Sequence, residues 1–286
     1  MTPESPFFAS AHKEKGSRDN TPKVLTPVAS GTLLFKSDTA TVDASNAKEG
    51  YIIVSYSGPA KKIKLQITGQ DAATYTYNLT AGAEVFPLSA GSGNYLVAVY
   101  ENVTGDQYAT VMSEKIPVTI TNTFGPFLYP NQYVNFNSSM EIVTKGKELA
   151  KNADNDLEVV SNMYNYVVNT ISYDYQKAKT VQSGYIPDVD STLSTKKGIC
   201  LDYAALLSAM LRTQRIPTRM EVGYAGDAYH AWISTYIEDV GWVNGIIQFD
   251  GKSWALMDPT FAANSNERAL KKFIGDGSNY TTKYIY

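Results

Sequence analysis

The hydrophobic period of this chain changes partway along it, and that change sets the architecture. From about Thr32 to Thr121 apolar residues recur every second position. Ile63, Leu65 and Ile67 alternate with Lys62, Lys64 and Gln66, and Tyr75, Tyr77 and Leu79 alternate with Thr74, Thr76 and Asn78. Turn signals separate these runs, among them Ser57-Gly58-Pro59, Gly91-Ser92-Gly93-Asn94 and Thr104-Gly105-Asp106. About seven short strands at this spacing predict an all-β, immunoglobulin-like sandwich over 31–121. Residues 122–136, with Phe124-Gly125-Pro126 and Tyr129-Pro130-Asn131, read as a linker. Beyond it the period becomes helical.

The second unit, 137–286, predicts α+β. Asn137 or Ser138 can cap a helix running to about Asn152, and Asp154 or Asn155 a second one bearing Leu157, Val160, Val167 and Val168. The stretch 176–195 is polar and turn-rich, reading as a long loop and a cleft wall that Gly184 could hinge. Leu201, Ala204, Ala205, Leu207, Met210 and Leu211 then give a helix that stops before Pro217. Strand-like segments follow to Thr260, for a helix packed on an antiparallel sheet.

Composition excludes several classes. With 43% hydrophobic residues, 19% charged and a net charge of -3, the chain is globular and long enough for two domains. It has no basic cluster, so nucleic acid is not an expected partner. No apolar run reaches the roughly 18–20 residues of a membrane span. One cysteine rules out an internal disulfide and a cysteine-based zinc site, and with only His12 and His230 no metal site or other cofactor is expected. Residues 1–30 read as a flexible tail, with no apolar core of a signal peptide near Met1.

Cys200 is the residue with the most chemistry. It opens the apolar helix, where unpaired N–H groups and the helix dipole favour a thiolate. Gly198 before it allows tight backbone or a close-lying substrate. His230 is the one histidine of the folded body, on a strand, and Asp258 ends a later strand before Pro259. A thiol that attacks a carbonyl needs an imidazole to take its proton, and a carboxylate to orient that imidazole. Each residue also has an ordinary structural reading: a core cysteine, a half-buried strand histidine, a turn aspartate.

Gly-Ile-Cys-Leu-Asp-Tyr-Ala (198–204), Arg-Ile-Pro (215–217), Val-Gly-Tyr (222–224), His-Ala-Trp (230–232) and Met-Asp-Pro-Thr (257–260) resemble the transglutaminase-like core. That superfamily groups transglutaminases, peptide:N-glycanases and many bacterial proteins assigned as cysteine proteases. The resemblance runs from about Tyr133 onward and places the family's Cys, His and Asp on Cys200, His230 and Asp258. Arg215 stands where the family commonly has glycine. The resemblance implies a papain-like thiol enzyme acting on a peptide or protein substrate, with a β-domain typical of secreted or wall-attached members. An extracellular or cell-wall-associated hydrolase is therefore expected. A crosslinking transglutaminase and a non-catalytic surface adhesion module with a vestigial triad are the alternatives. Tyr173 is a candidate second oxyanion donor beside the Cys200 N–H. Trp232 and Trp254 are candidates for shielding the site from water, with core packing as the alternative. The sequence does not specify the oligomeric state.

Overall fold

The computed structural model of the 286-residue chain describes residues 18–80, 82–225, 227–238, 240–243, 247–249, 254–256 and 280–286. The first half is built from β1 (Leu34–Lys36), β2 (Ala40–Asp43), β3 (Tyr51–Tyr56), β4 (Ile63–Thr68), β5 (Thr74–Leu79), β6 (Gly82–Pro87), β7 (Gly93–Thr104) and β8 (Gln107–Val118). They form two antiparallel four-stranded sheets, ordered β1-β2-β3-β6 and β5-β4-β7-β8. The alternation read from the sequence is the burial pattern: Ile63, Leu65, Ile67, Tyr75, Tyr77 and Leu79 point into the core, and their neighbours point out.

The second half carries α1 (Glu141–Ala150), α2 (Asp156–Thr170), β9 (Ser172–Tyr173), α3 (Tyr175–Thr180), α4 (Val189–Thr195), β10 (Lys197–Gly198) and α5 (Cys200–Thr213). Strands β11 (Thr218–Ala225), β12 (Ala228–Ile237), β13 (Gly241–Val243), β14 (Ile247–Phe249), β15 (Trp254–Leu256) and β16 (Tyr280–Ile285) follow. The main sheet is ordered β13-β12-β11-β16, and β14 pairs with β15. Helix α5 is buried from Asp202 to Thr213 on every face, as a central helix must be. Helices α1, α2 and α4 pack on it, and so do β11 and β12.

Two expectations about the helices change. The stretch 176–195 is not a structureless loop, because aspartates start helices within it. Asp174 accepts the Lys177 N–H and caps α3, and Asp188 accepts the Ser191 N–H and caps α4. Helix α1 starts at Glu141, later than predicted. Its cap comes from Asp190 of α4, whose carboxylate accepts the Glu141 and Ile142 N–H groups at 3.0 Å each. Helix α2 is capped by Asn155, as read from the sequence.

The tail expected over 1–30 is tied down across the part described. Arg18 Nε donates to Asp156 Oδ1 at 2.6 Å, and the Lys23 N–H donates to the Thr213 carbonyl at 2.8 Å. Arg215 donates to the Thr21 carbonyl at 3.0 Å. Arg215 itself sits at φ 65, a left-handed conformation that favours glycine. The backbone there is thus one that suits glycine, and the Arg215 side chain holds the segment around Thr21.

The linker is packed too. Phe127, Val134 and Phe136 are buried, and Val134 and Phe136 belong to a core shared by both halves. At that junction Tyr75, Tyr77, Tyr133, Tyr284 and Tyr286 form one aromatic cluster. The Ile285 N–H donates to the Tyr75 hydroxyl at 3.2 Å, and Ser89 Oγ donates to the Ile285 carbonyl at 2.6 Å. The first half thereby holds the edge strand of the second half's sheet.

Candidate active site

Cys200 is the first residue of α5, after Ile199 in extended backbone. The Ile199 N–H is accepted by the Asp202 carboxylate at 2.8 Å. This is one half of a capping box, which fixes the turn that presents the thiol. Strand β10 pairs in parallel with β9, placing Gly198 beside Tyr173. The free thiol belongs to a residue that keeps part of its surface open. Its sulfur meets the N–H groups of Ala231 and Leu201. Ala231 follows His230 on β12, so the thiol reaches the strand that carries the imidazole.

The electrostatics differ from those expected of a bare helix N-terminus. Burial pushes the Cys200 thiol above its ordinary range, and the nearby Asp202 charge adds to this. The N–H groups of Ala231 and Leu201 pull the other way without prevailing. Desolvation therefore outweighs the helix end here. His230 is also buried, and burial pulls its imidazole below the ordinary 6.5. Both groups are neutral at rest on these terms. The His230 Nε2 is buried and has no hydrogen-bond partner among the described residues. An orphaned imidazole nitrogen in a core is costly and calls for an acceptor.

The other predicted site residues fall as follows. Tyr173 is half-buried with its phenol against the Cys200 N–H; burial raises its pKa and that contact opposes the rise. Its ring packs edge-on to Tyr175 at 5.0 Å. Trp232 is buried and stacks with His230 at 6.4 Å, on the same face of β12. It is a wall behind the imidazole. Gly198 is not open to a substrate. It is buried, and a side chain there would stand 2.7 Å from Asp202 Cβ. Its role is to let Asp202 close over the turn. Asp258 lies outside the described residues, as does the side chain of Trp254. Among the described residues no cluster of three or more His, Cys, Asp or Glu could hold a metal ion.

Sequence reasoning passed over Asp202, Lys177 and Tyr185. Asp202 is fully buried, and accepts from Lys177 Nζ at 2.7 Å and from the Tyr185 hydroxyl at 2.6 Å. The readable signal was an acid at the third helical position, the second half of a capping box. Trp242, also passed over, lies with its ring 3.7 Å from the Arg219 guanidinium, which faces Phe127 at 4.8 Å.

Residues 144–245 match the family model of the transglutaminase-like superfamily. That stretch contains Cys200 and His230 and stops short of Asp258. A UPF0252 protein of Methanocaldococcus jannaschii is 34% identical over a match covering 29% of this chain and 27% of the relative. The match thus spans about a quarter of that relative's length. Among solved structures, a protein from Cytophaga hutchinsonii provisionally named a cysteine protease is 18% identical with a TM-score of 0.36, covering 80% of this chain and 69% of that one. Red sea bream transglutaminase is 15% identical with a TM-score of 0.28, covering 73% of this chain and 48% of that one. The stretch that matches the transglutaminase-like superfamily model thus carries Cys200 at the head of α5 and His230 on β12.

Proposed function

We propose that the chain is a thiol-dependent acyl-transfer enzyme on peptide or amide substrates, with hydrolysis favoured over crosslinking. The observation that carries this reading is the meeting of the Cys200 sulfur with the Ala231 N–H, directly beside a buried, neutral His230. A neutral imidazole can accept a proton. His230 takes the thiol proton as the sulfur attacks the amide carbonyl. The tetrahedral oxyanion is met by the Cys200 N–H and the Tyr173 phenol. As it collapses, the C–N bond breaks and the imidazolium gives its proton to the leaving amine. Water then attacks the thioester, His230 takes a proton from it, and the carboxylic acid leaves with the thiol restored. General-base help of this kind contributes roughly 10²–10⁴-fold. A lysine amine in place of water would give a crosslink. Asp258 is the proposed acceptor for the orphaned His230 Nε2.

A second reading is a surface binding module with a silent triad. It draws support from the same burial that keeps Cys200 and His230 neutral. The sheet orders β1-β2-β3-β6 and β5-β4-β7-β8 support an immunoglobulin-like sandwich for the first half. An extracellular or wall-associated setting is proposed from that two-part organisation.

The test is incubation with a glutamine-containing peptide library, with and without an amine donor, followed by mass spectrometry. Cleaved or deamidated peptides that vanish in Cys200→Ala are expected. Amine-linked peptides would favour crosslinking, and silence in every arm with folded protein would favour the binding module.

A further inference from the structure

Asp202 presents a conflict. Its carboxylate caps the Ile199 N–H and shapes the turn under Cys200. An acid in the first turn also suits the helix dipole. Yet its charge sits two residues from the sulfur that must become an anion, and like charges oppose one another. Ordinary first-turn acids face water, which screens them. Asp202 is fully buried, so solvent does not.

Two groups from the 175–188 segment come in to answer that charge. Lys177 Nζ, from α3, lies 2.7 Å from Asp202 Oδ2. The Tyr185 hydroxyl lies 2.6 Å from Asp202 Oδ1. Lys177 Nζ also donates to the Tyr185 hydroxyl at 2.5 Å, and it stands 4.2 Å from that ring's centroid. Both carboxylate oxygens are thus engaged, one of them by a cation. Burial pulls the Lys177 ammonium down, but its bonds to Asp202 and Tyr185 outweigh that and hold it above its ordinary 10.5.

We propose that Lys177 and Tyr185 are positioning residues for the nucleophile: they offset the charge of the buried Asp202 carboxylate, so that it caps the α5 turn while opposing the Cys200 anion less than it would alone. This rests on the reading of Cys200 as a nucleophile. Among the described residues the other titratable groups near the thiol are Tyr173 from β9 and Tyr229 and His230 from β12, and all three are neutral near pH 7. Asp202 is the negative charge in this set, and Lys177 its cation.

The experiment is the pH profile of Cys200 alkylation by iodoacetamide in the full chain. Lys177→Met should move the midpoint up by about one pH unit, which lowers the thiolate fraction near neutrality about tenfold. A more basic thiolate is also a better nucleophile, with a Brønsted slope of about 0.4–0.5, so the rate at pH 7 should fall only about threefold. Lys177→Arg should keep the wild-type midpoint. Tyr185→Phe should shift it the same way by less, and Asp202→Asn added to Lys177→Met should bring it back. A tether without an electrostatic role would leave the midpoint in place, and unchanged profiles in both Lys177→Met and Tyr185→Phe overturn the proposal. So does a shift in Lys177→Arg equal to that in Lys177→Met. Should Lys177→Met not fold, Tyr185→Phe decides alone. Failure of the nucleophile reading shows elsewhere, in a wild-type chain inert toward every peptide, whereas the midpoint comparison reads the Asp202 charge whether or not turnover occurs.

Discussion

Gly223 stands directly across from His230 in the β11–β12 ladder, and its missing side chain is what admits the edge strand. A Cβ at Gly223 would lie 2.0 Å from the Thr281 carbonyl oxygen of β16. The register between β11 and β16 shifts at Val222/Gly223, where that close approach occurs. The strand behind the imidazole is therefore shaped by a glycine opposite it.

Gly223→Ala should push β16 away and disturb His230 through the ladder. Backbone cannot yield as a side-chain tip can, so the cost should reach about 1–3 kcal/mol. Urea melts measure that loss. Turnover per folded molecule should fall with it, and an Ala variant of wild-type stability would contradict the packing account.

Asp258→Asn tests the proposed acceptor for His230 Nε2. In that variant burial, which pulls the imidazole below 6.5, acts without the carboxylate to oppose it. The acid limb of kcat/KM should therefore lie below 6.5 in Asp258→Asn and higher in the wild type, where a carboxylate favours the imidazolium. Turnover should drop by orders of magnitude, as when a triad carboxylate loses its charge. Equal acid limbs in the two proteins would remove Asp258 from the site.

Gly198→Ala addresses the turn under the nucleophile. The added methyl would meet Asp202 Cβ at 2.7 Å and Asp202 Oδ2 at 3.2 Å. Relief requires the carboxylate to leave the Ile199 N–H. The variant should lose about 1–2 kcal/mol, the typical worth of a cap, and alkylation of Cys200 should become slower at pH 7. Circular dichroism with thermal melting reads the first effect and iodoacetamide labelling the second.

Arg212→Met tests the buried end of α5. Its guanidinium donates to the carbonyls of Thr218, Tyr129 and Tyr286, with Nε and Nη2 both on Thr218. Burial pulls it to about 9, which leaves it charged at neutral pH. Methionine fills similar space but leaves three carbonyls without this donor. A loss of about 1–3 kcal/mol is expected from leaving buried carbonyls without a donor, read as a lower urea midpoint. A variant within about 0.5 kcal/mol of wild type, the range of ordinary surface changes, would show the network to be dispensable.

What the sequence made legible was whatever depends on local period and local chemistry. The alternation through Ile63–Ile67 and Tyr75–Leu79, the Asn155 cap and the placement of Cys200 at a helix start are all of that kind. Helices α3 and α4 were missed because short polar helices have no hydrophobic period to read, and their capping aspartates look like turn residues. The α1 cap was misplaced because Asp190, 49 residues on, supplies it. The thiol's environment was misjudged for a similar reason. A helix N-terminus is visible in sequence, while the desolvation that overrides it comes from packing across distant segments. The Lys177–Tyr185–Asp202 cluster, too, exists only once the chain has turned back on itself.

The Tyr75 hydroxyl that receives the Ile285 N–H has one more consequence. The family model matches 144–245, but that stretch contains neither the edge strand β16 nor the tyrosines that cover it. The stretch that matches is smaller than the unit that packs together. Cut out at its recognisable limits, the fragment would expose a raw sheet edge and the apolar faces of its helices. In this chain the β half is part of the second half's own interior, and removing it would uncover that interior.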